Sequence, residues 1–413
     1  MFIVARVRIL MLTQSYAPVI GGEERVVEDL GRELVRRGHS VAVATLSRDS
    51  TTRDDGIRVH RLGSAVYRLP HAFADAERRH ALPGPDPETV RDLRAVVARE
   101  QPDVVHAHNW IVHSYAVLRR RLRVPLVLSL HDYSLICPTK RLFWRQRQPC
   151  DGPAIAKCVA CAGGVYGPAM GGALTLGMAL TVPFTRRAVD AFVPISDAVR
   201  RGCGLDERDE CQVIPNFIGE LPARPDAADP RLDRLPREPF ILFFGDASID
   251  KGAAHLARVY RTLTDPPPLV HVGRCFVEEL RETPGVIVAG PLEHALAIEA
   301  VRRSLIVVVP SLWDEPFGLV ALEAAAAGIP VIASAIGGLT DIVADGESGV
   351  LVAPGDEAEL RAALQSLLAD PARRERLGAG ARRRAHLFGA DRVVPRFESL
   401  YRLTVDRLAL AGR

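Results

Sequence analysis

Residues 6–46 read RVRILMLTQSYAPVIGGEERVVEDLGRELVRRGHSVAVATL, and their periodicity sets the fold. RVRILMLT is short and apolar at almost every position after Arg8, as a strand covered on both faces must be. QSYAPVIGG has the composition of a turn. EERVVEDLGRELVRRG puts Val26, Val27, Leu30, Leu34 and Val35 on one helical face and stops at Gly38. HSVAVATL is the next strand.

The same rhythm continues outward. DVVHAH at 103–108, VPLVLSLHD at 124–132 and AFVPIS at 191–196 are further buried strands. Strands alternating with helices predict a parallel, doubly wound α/β sheet over residues 1–218. Residues 219–239, GELPARPDAADPRLDRLPREP, hold five prolines and no periodicity, so they read as a linker. Beyond it FILFFGD, LVHVG, VIVAG, LIVVVPS and PVIAS are strands, with helices at KGAAHLARVYRTL, from about 318, and at 357–369, which predicts a second α/β domain over 240–390. A closing helix runs from 391 toward the end. Open sheets of this kind bind ligands at the carboxyl ends of their strands.

Composition excludes several classes. The 413 residues are 48% hydrophobic and 25% charged with net charge +3, ordinary for a globular protein. The Arg runs at 119–121 and 382–384 are too short for a nucleic-acid stripe and read as solvated helix faces. The apolar N-terminus is broken by Arg6 and Arg8, so it reads as a strand rather than a signal peptide. Without such a signal, the seven cysteines point to a reducing, cytoplasmic setting. Residues 158–185 carry no charge but hold six glycines and two prolines. That composition makes a poor spanning helix; it fits a buried or groove-lining segment, or a peripheral contact with a membrane surface at its inner face.

Candidate chemistry concentrates at 314–331, DEPFGLVALEAAAAGIPV. Glu315 follows a strand, and Pro316 suits a helix's first turn. The amides of Phe317, Gly318 and Leu319 would form a positive helix end where an anion can approach the backbone. Glu323 lies deeper, among Val320 and the alanines, where an unpaired carboxylate is costly. Its partners would be ligand hydroxyls such as a vicinal diol, or a buried arginine or backbone donors.

Cys137, Cys150, Cys158 and Cys161 fall in one stretch ending in C-x-x-C. Four thiolates there could hold a structural zinc; independent thiols, a labile disulfide or an iron–sulfur cluster are the other readings. No Asp-x-Asp occurs, so no carboxylate-held catalytic metal and no catalytic cofactor is expected. His106 and His108 alternate off one strand, so only one is expected to face a cleft. His131, at a strand end, reads as a site residue or a satisfied rim histidine.

Seven fragments in order carry a resemblance. They are GGEERVVEDLGRELVRRGHSVAV, DVVHAHNW, LVLSLHDY, VIPNFI, FFGDASIDKG, EPFGLVALEAAAAGIPVIAS and SAIGGLTDIVADGESGVLVAPGDEAEL. Together they resemble the GT-B retaining glycosyltransferases of family 4 over nearly the whole chain. The resemblance implies two Rossmann-like domains facing across a cleft, with the C-terminal helix crossing back to the first domain. It implies a hexosyltransferase moving sugar from a nucleotide-diphosphate donor (UDP or GDP) to a sugar or lipid-linked acceptor, as in cell-surface polysaccharide or glycolipid assembly. Glu323 would hold the ribose hydroxyls and Glu315 those of the transferred sugar. Gly245 and the amides of Phe317, Gly318, Leu319 and Val320 would meet the donor, and Lys251 would neutralise the departing diphosphate. Gly21 and Gly22 would admit phosphate and acceptor, with His131 beside the reacting sugar. The chain departs from the family where Asp246 replaces Arg, Asp341 replaces Glu and Phe217 replaces Gly. A sugar-nucleotide epimerase and a non-catalytic partner subunit share the architecture, and Asp246 keeps the second alternative in view.

Overall fold

The computed structural model describes residues 6–17, 21–47, 55–68, 81–205, 210–226 and 229–411. Residues 18–20, in the expected first turn, and 227–228, in the expected linker, lie outside them. The chain divides into two compact units, one formed by 1–145, 151–215 and 390–413 and the other by 146–150 and 216–389.

Among the described residues the first unit holds a parallel sheet of β1 (Arg8–Thr13), β2 (Ser40–Thr45), β3 (Arg58–Arg61), β4 (Val104–His108), β5 (Leu126–Leu130) and β6 (Ala191–Pro194). Their spatial order is β3-β2-β1-β4-β5-β6. Around it run α1 (Gly22–Arg36), α2 (Pro87–Glu100), α3 (Val112–Leu122), α4 (Ile155–Tyr166), α5 (Pro168–Ala188) and α6 (Asp197–Gly202). The central strands are apolar because helices cover both faces: Ile9, Leu10, Met11 and Leu12 are all buried.

The second unit repeats the plan. Its strands are β7 (Phe240–Phe244), β8 (Leu269–Val272), β9 (Val286–Gly290), β10 (Ser304–Val309), β11 (Val331–Ser334) and β12 (Gly349–Val352), ordered β9-β8-β7-β10-β11-β12. Its helices are α7 (Ala253–Arg261), α8 (Glu278–Arg281), α9 (His294–Arg303), α10 (Leu319–Ala327), α11 (Leu339–Ile342), α12 (Glu357–Ala369) and α13 (Pro371–Ala385). In each sheet the strand order reverses once, between β1 and β4 and between β7 and β10, and crevices for ligands open at such reversals. The proline-rich stretch expected as a linker belongs to the second unit, with a 3-10 turn at Pro230–Arg234 capped by Asp229.

The last helix, α14 (Ala390–Ala411), packs with the first unit. Val393, Val394, Phe397, Leu400 and Tyr401 form its buried stripe. Two histidines of the sheet anchor it. His39 accepts from the Val7 amide through Nδ1 and meets Glu398 through Nε2 at 2.9 Å. His106 Nδ1 meets the Tyr401 hydroxyl at 2.8 Å. Glu398→Ala leaves a buried imidazole nitrogen unsatisfied, so urea unfolding of the full chain will show a loss of about 1–3 kcal/mol; an unchanged midpoint would contradict this anchoring.

Candidate functional site

The second unit builds its site at the reversal between β7 and β10. The turn after β7 is pressed against the end of β10: a side chain on Gly252 (φ +75°) would sit 1.9 Å from the Pro310 carbonyl. That contact delivers Lys251 to Glu315. The ammonium lies 2.8 Å from Glu315 Oε1 and 2.7 Å from Oε2. Ser311 Oγ donates to Oε2 at 3.1 Å and Trp313 Nε1 at 3.0 Å. Glu315 is buried; three of these bonds converge on Oε2, and Oε1 accepts from Lys251 alone. Lys251 keeps a third of its side chain exposed, so the arrangement holds a cation at the sheet's edge.

Helix α10 starts beside it. Gly318 is the N-cap at φ +97°, and a side chain there would meet Leu339 Cδ2 at 2.5 Å. The left-handed cap makes Leu319 the first helical residue and leaves Pro316 outside the helix, which corrects its expected place in the first turn. Gly337 and Gly338 pack on the backbone of Glu315 and Phe317, and the Gly338 amide donates to the Glu315 carbonyl at 2.7 Å. The Phe317 ring is a packing group, edge-on to Phe388 at 5.8 Å. The amides of Leu319 and Val320 belong to the first turn, which contains no acidic residue, so this helix end is electropositive. A Cβ on Gly245 (φ +109°), just after β7, would lie 4.0 Å from Val320, so the backbone is bare where the two elements approach.

Glu323, one turn further in, is 5% exposed. Its Oε1 bonds His294 Nε2 at 2.8 Å, and His294 opens α9 with a side chain 29% exposed. A buried carboxylate and a rim imidazole thus stand together near the helix mouth. Asp246 and Arg274, at the ends of neighbouring strands, form a pair: Arg274 Nη2 reaches Asp246 Oδ2 at 2.6 Å, and the Arg274 amide donates to Oδ1 at 3.2 Å. The acid that departs from the family pattern is therefore matched by a guanidinium, and both side chains stay partly exposed.

In the first unit the matching reversal joins α1 to the loop after β4. Gly21 caps α1 in an extended conformation, and Gly22 is its first residue. Glu23 and Glu24 fill the first turn, whereas the first turn of α10 contains no acidic residue. Glu23 Oε2 accepts from Asn109 Nδ2, and Asn109 Oδ1 accepts from Ser134 Oγ at 3.1 Å. Glu23 Oε1 is closed off from solvent without a hydrogen-bond partner among the described residues. Burial, then Glu24, push this carboxyl well above its usual range, opposed by Lys140.

His108 Nδ1 and His131 Nε2 lie 2.8 Å apart, leaving His108 Nε2 and His131 Nδ1 buried without partners among the described residues. Burial holds His131 down at about 4 and His108 well below its ordinary range. Both histidines of the β4 strand face inward. His106 is tied to Tyr401 and to Ser129 Oγ at 2.8 Å, and burial lowers it to about 3. Two apart on the strand, His106 and His108 share one face, with ring centroids 4.3 Å apart, so the expectation that alternation would turn only one of them toward a cleft fails.

Cys158 and Cys161 lie on α4, the Cys161 sulfur accepts from the Arg145 amide at 3.2 Å, and Cys137 Sγ lies 3.2 Å from Thr139 Oγ1. Among the described residues no group of three or more His, Cys, Asp or Glu is placed to hold a metal, so Cys137, Cys150, Cys158 and Cys161 form no four-thiolate cage here. Sequence reading missed His294, Ser311, Trp313 and the Glu23–Asn109 link. Only strand-end position could have flagged them, since none sits in a distinctive run.

The pattern described as "Glycosyl transferases group 1" matches residues 227–384, and that described as "Glycosyltransferase Family 4" matches 20–219. A glycogen synthase of Mycobacterium tuberculosis is 32% identical over 91% of this chain and 90% of its own length. A D-inositol 3-phosphate glycosyltransferase of Xylanimonas cellulosilytica is 29% identical over 97% of both chains. In fold, the chain is similar to sucrose-phosphate synthase of Thermosynechococcus elongatus (TM-score 0.70, 22% identity, 96% of this chain and 99% of that one). It is also similar to Anabaena HepE, solved with UDP and glucose (TM-score 0.66, 18% identity, 98% and 100%).

The buried histidines give the first unit a pH signature. In the unfolded chain they take protons near 6.5, while His131 and His113 in the fold resist to about 4 and His106 to about 3. The unfolded state then binds more protons between about 6.5 and 4, so stability falls as pH drops through that window, by roughly 1 kcal/mol or more per histidine at pH 5. Glu23, raised by burial, acts in the opposite sense. Denaturation midpoints at pH 7.5 and 5 will show the loss, reduced in His131→Asn; identical slopes in the two proteins would contradict it.

Proposed function

The chain belongs to the group 1 glycosyltransferases, and on that premise we propose that it moves a hexosyl unit from a nucleotide-diphosphate sugar to an acceptor with retention of anomeric configuration. The observation that carries the proposal is the joint placement of the bare, electropositive start of α10, the fixed Lys251 cation and the buried Glu323. Cleavage of a sugar–diphosphate bond builds negative charge on the leaving phosphate, and preorganised N–H dipoles and cations stabilise that charge as it develops. The Leu319 and Val320 amides and Lys251 act there. Glu323, steadied by His294, accepts from the two ribose hydroxyls.

Glu315 Oε2 receives Lys251, Ser311 and Trp313, while Oε1 accepts from Lys251 alone. Its first role in this reading is to hold Lys251, and a hydroxyl of the transferred sugar would bind at Oε1. Arg274 takes the part of the missing arginine at 246. Asp246 orients it, and this pairing weighs against the non-catalytic subunit that the substitution keeps in view.

The first unit supplies the acceptor surface around Gly21, Gly22, Glu23, Asn109 and His131. Its helix end carries two acids, which suits hydroxyls better than phosphate. Attack comes from the face that the leaving group departs. The two-carboxylate displacement of retaining glycosidases has no counterpart in this reading. The relatives include a protein solved with UDP-glucose, which supports a UDP-sugar donor, with GDP- and ADP-sugars as the other candidates. The uncharged 158–185 segment supports a lipid-linked acceptor of cell-surface polysaccharide or glycolipid assembly at the inner face of a membrane.

Thermal-shift screening against UDP-, GDP- and ADP-sugars will find a stabilising donor, because a ligand that binds only the folded state raises its melting point. Glu323→Ala will weaken that donor about tenfold or more by calorimetry, and Lys251→Ala will lower kcat about a hundredfold with the fold intact. Stabilisation by none of the panel, or wild-type turnover in both variants, would overturn the proposal. Arg274→Ala will weaken affinity for the free nucleoside diphosphate about tenfold; an unchanged Kd would remove Arg274 from the site.

A further inference from the structure

Helices α4 and α5 form an antiparallel hairpin bent at Gly167 (φ +85°). They touch backbone to backbone: a Cβ on Gly171 would lie 2.3 Å from the Gly163 amide nitrogen. Small residues at such a contact let two helices approach without large side chains between them. The inner stripe of α5, Gly171, Leu174, Thr175 and Met178, is buried, with Leu174 and Met178 packed on Trp110.

The outer stripe is the anomaly. Leu176, Leu180 and Phe184 recur at i, i+4 and i+8, and they are 54%, 78% and 43% exposed. Tyr166 and Val165 are exposed beside the bend, and Ile155 at the other end of α4. A helix whose outer face meets water normally carries polar residues there. This one carries none until Arg187.

We infer that the outer face of the α4–α5 hairpin docks on the surface of an anionic lipid bilayer. Charge complementarity selects this occupant. Between Asp151 and Asp190 the sequence contains no acidic residue; Lys157 pairs with Asp151 and Arg186 bonds the Cys203 carbonyl, which leaves Arg187 as the exposed basic residue of this face. Arg187 is exposed and lies about one turn beyond Phe184, where an anionic headgroup would meet it while the apolar stripe enters the acyl boundary. Tyr166, an aromatic with a polar tip, sits close to the positive charge of Arg141. Rings of this kind favour the headgroup level. No helix among the described residues is long and apolar enough to cross a membrane, so the hairpin lies along the surface. The inference stands on the hairpin alone and does not rest on the transferase reading.

The test is co-sedimentation of the full chain with extruded vesicles of phosphatidylcholine, with and without about a quarter phosphatidylglycerol. The expected result is binding to the anionic vesicles, weaker in high salt, and reduced at least about tenfold in the variant Leu176→Ser/Leu180→Ser/Phe184→Ser. These side chains are exposed, so the melting midpoint and its response to UDP will match wild type and show an intact fold. Equal sedimentation of wild type and variant, or no binding to either vesicle, overturns the inference. So does a dimer in analytical ultracentrifugation that the triple variant dissolves, which would make a second copy the occupant. A protein that binds vesicles but ignores every nucleotide sugar would sink the transferase proposal and leave this inference standing.

Discussion

The ion pair between Lys251 and Glu315 depends on the place where the second sheet reverses its strand order. A buried carboxylate is costly unless its lone pairs are met, and here a lysine, a serine and an indole meet them. The glycines nearby follow from that demand. Gly252 lets the lysine turn touch the end of β10, and Gly337 and Gly338 let the next loop close over the backbone around Glu315. The result is a cation held next to a helix mouth whose first turn has no competing acid. Chemistry that releases a diphosphate needs such a fixed positive field, set before the reaction begins.

The first unit uses the same topology with opposite electrostatics. Its strand order also reverses once, but here the carboxyl comes from the helix after β1 and its partner from the loop after β4. Here the partner is the neutral Asn109, the helix turn contains two acids, and burial favours the protonated form of Glu23. One fold plan thus gives a lysine beside an acid-free helix start in one unit and two acids in a helix's first turn in the other.

Much of this was legible in the sequence because buried parallel strands are continuous apolar runs, and those runs stood out. Two of the four edge strands were not: Arg58–Arg61 reads RVHR, half-exposed and polar, and Gly349–Val352 is only four residues long. Glu315, Glu323 and Gly318 announced themselves because charge or glycine inside an oily stretch demands a reason, whereas Lys251 entered only through the resemblance. His294 did not, since a histidine in PLEHAL is unremarkable until the fold brings it to Glu323. The local C-x-x-C lies on α4, where the Cys161 sulfur accepts from the Arg145 amide, a partner that cysteine spacing alone does not reveal. The uncharged 158–185 stretch was visible as composition, yet only the helix register separates its packed face from its bare one.

A crystal structure of the protein with UDP would test the central claim most directly, through the position of the two phosphates. The account predicts them at the start of α10, with oxygens about 3 Å from the Leu319 and Val320 amides and from Lys251 Nζ, and the ribose on Glu323. Phosphates bound at the start of α1, or a ribose away from Glu323, would contradict it.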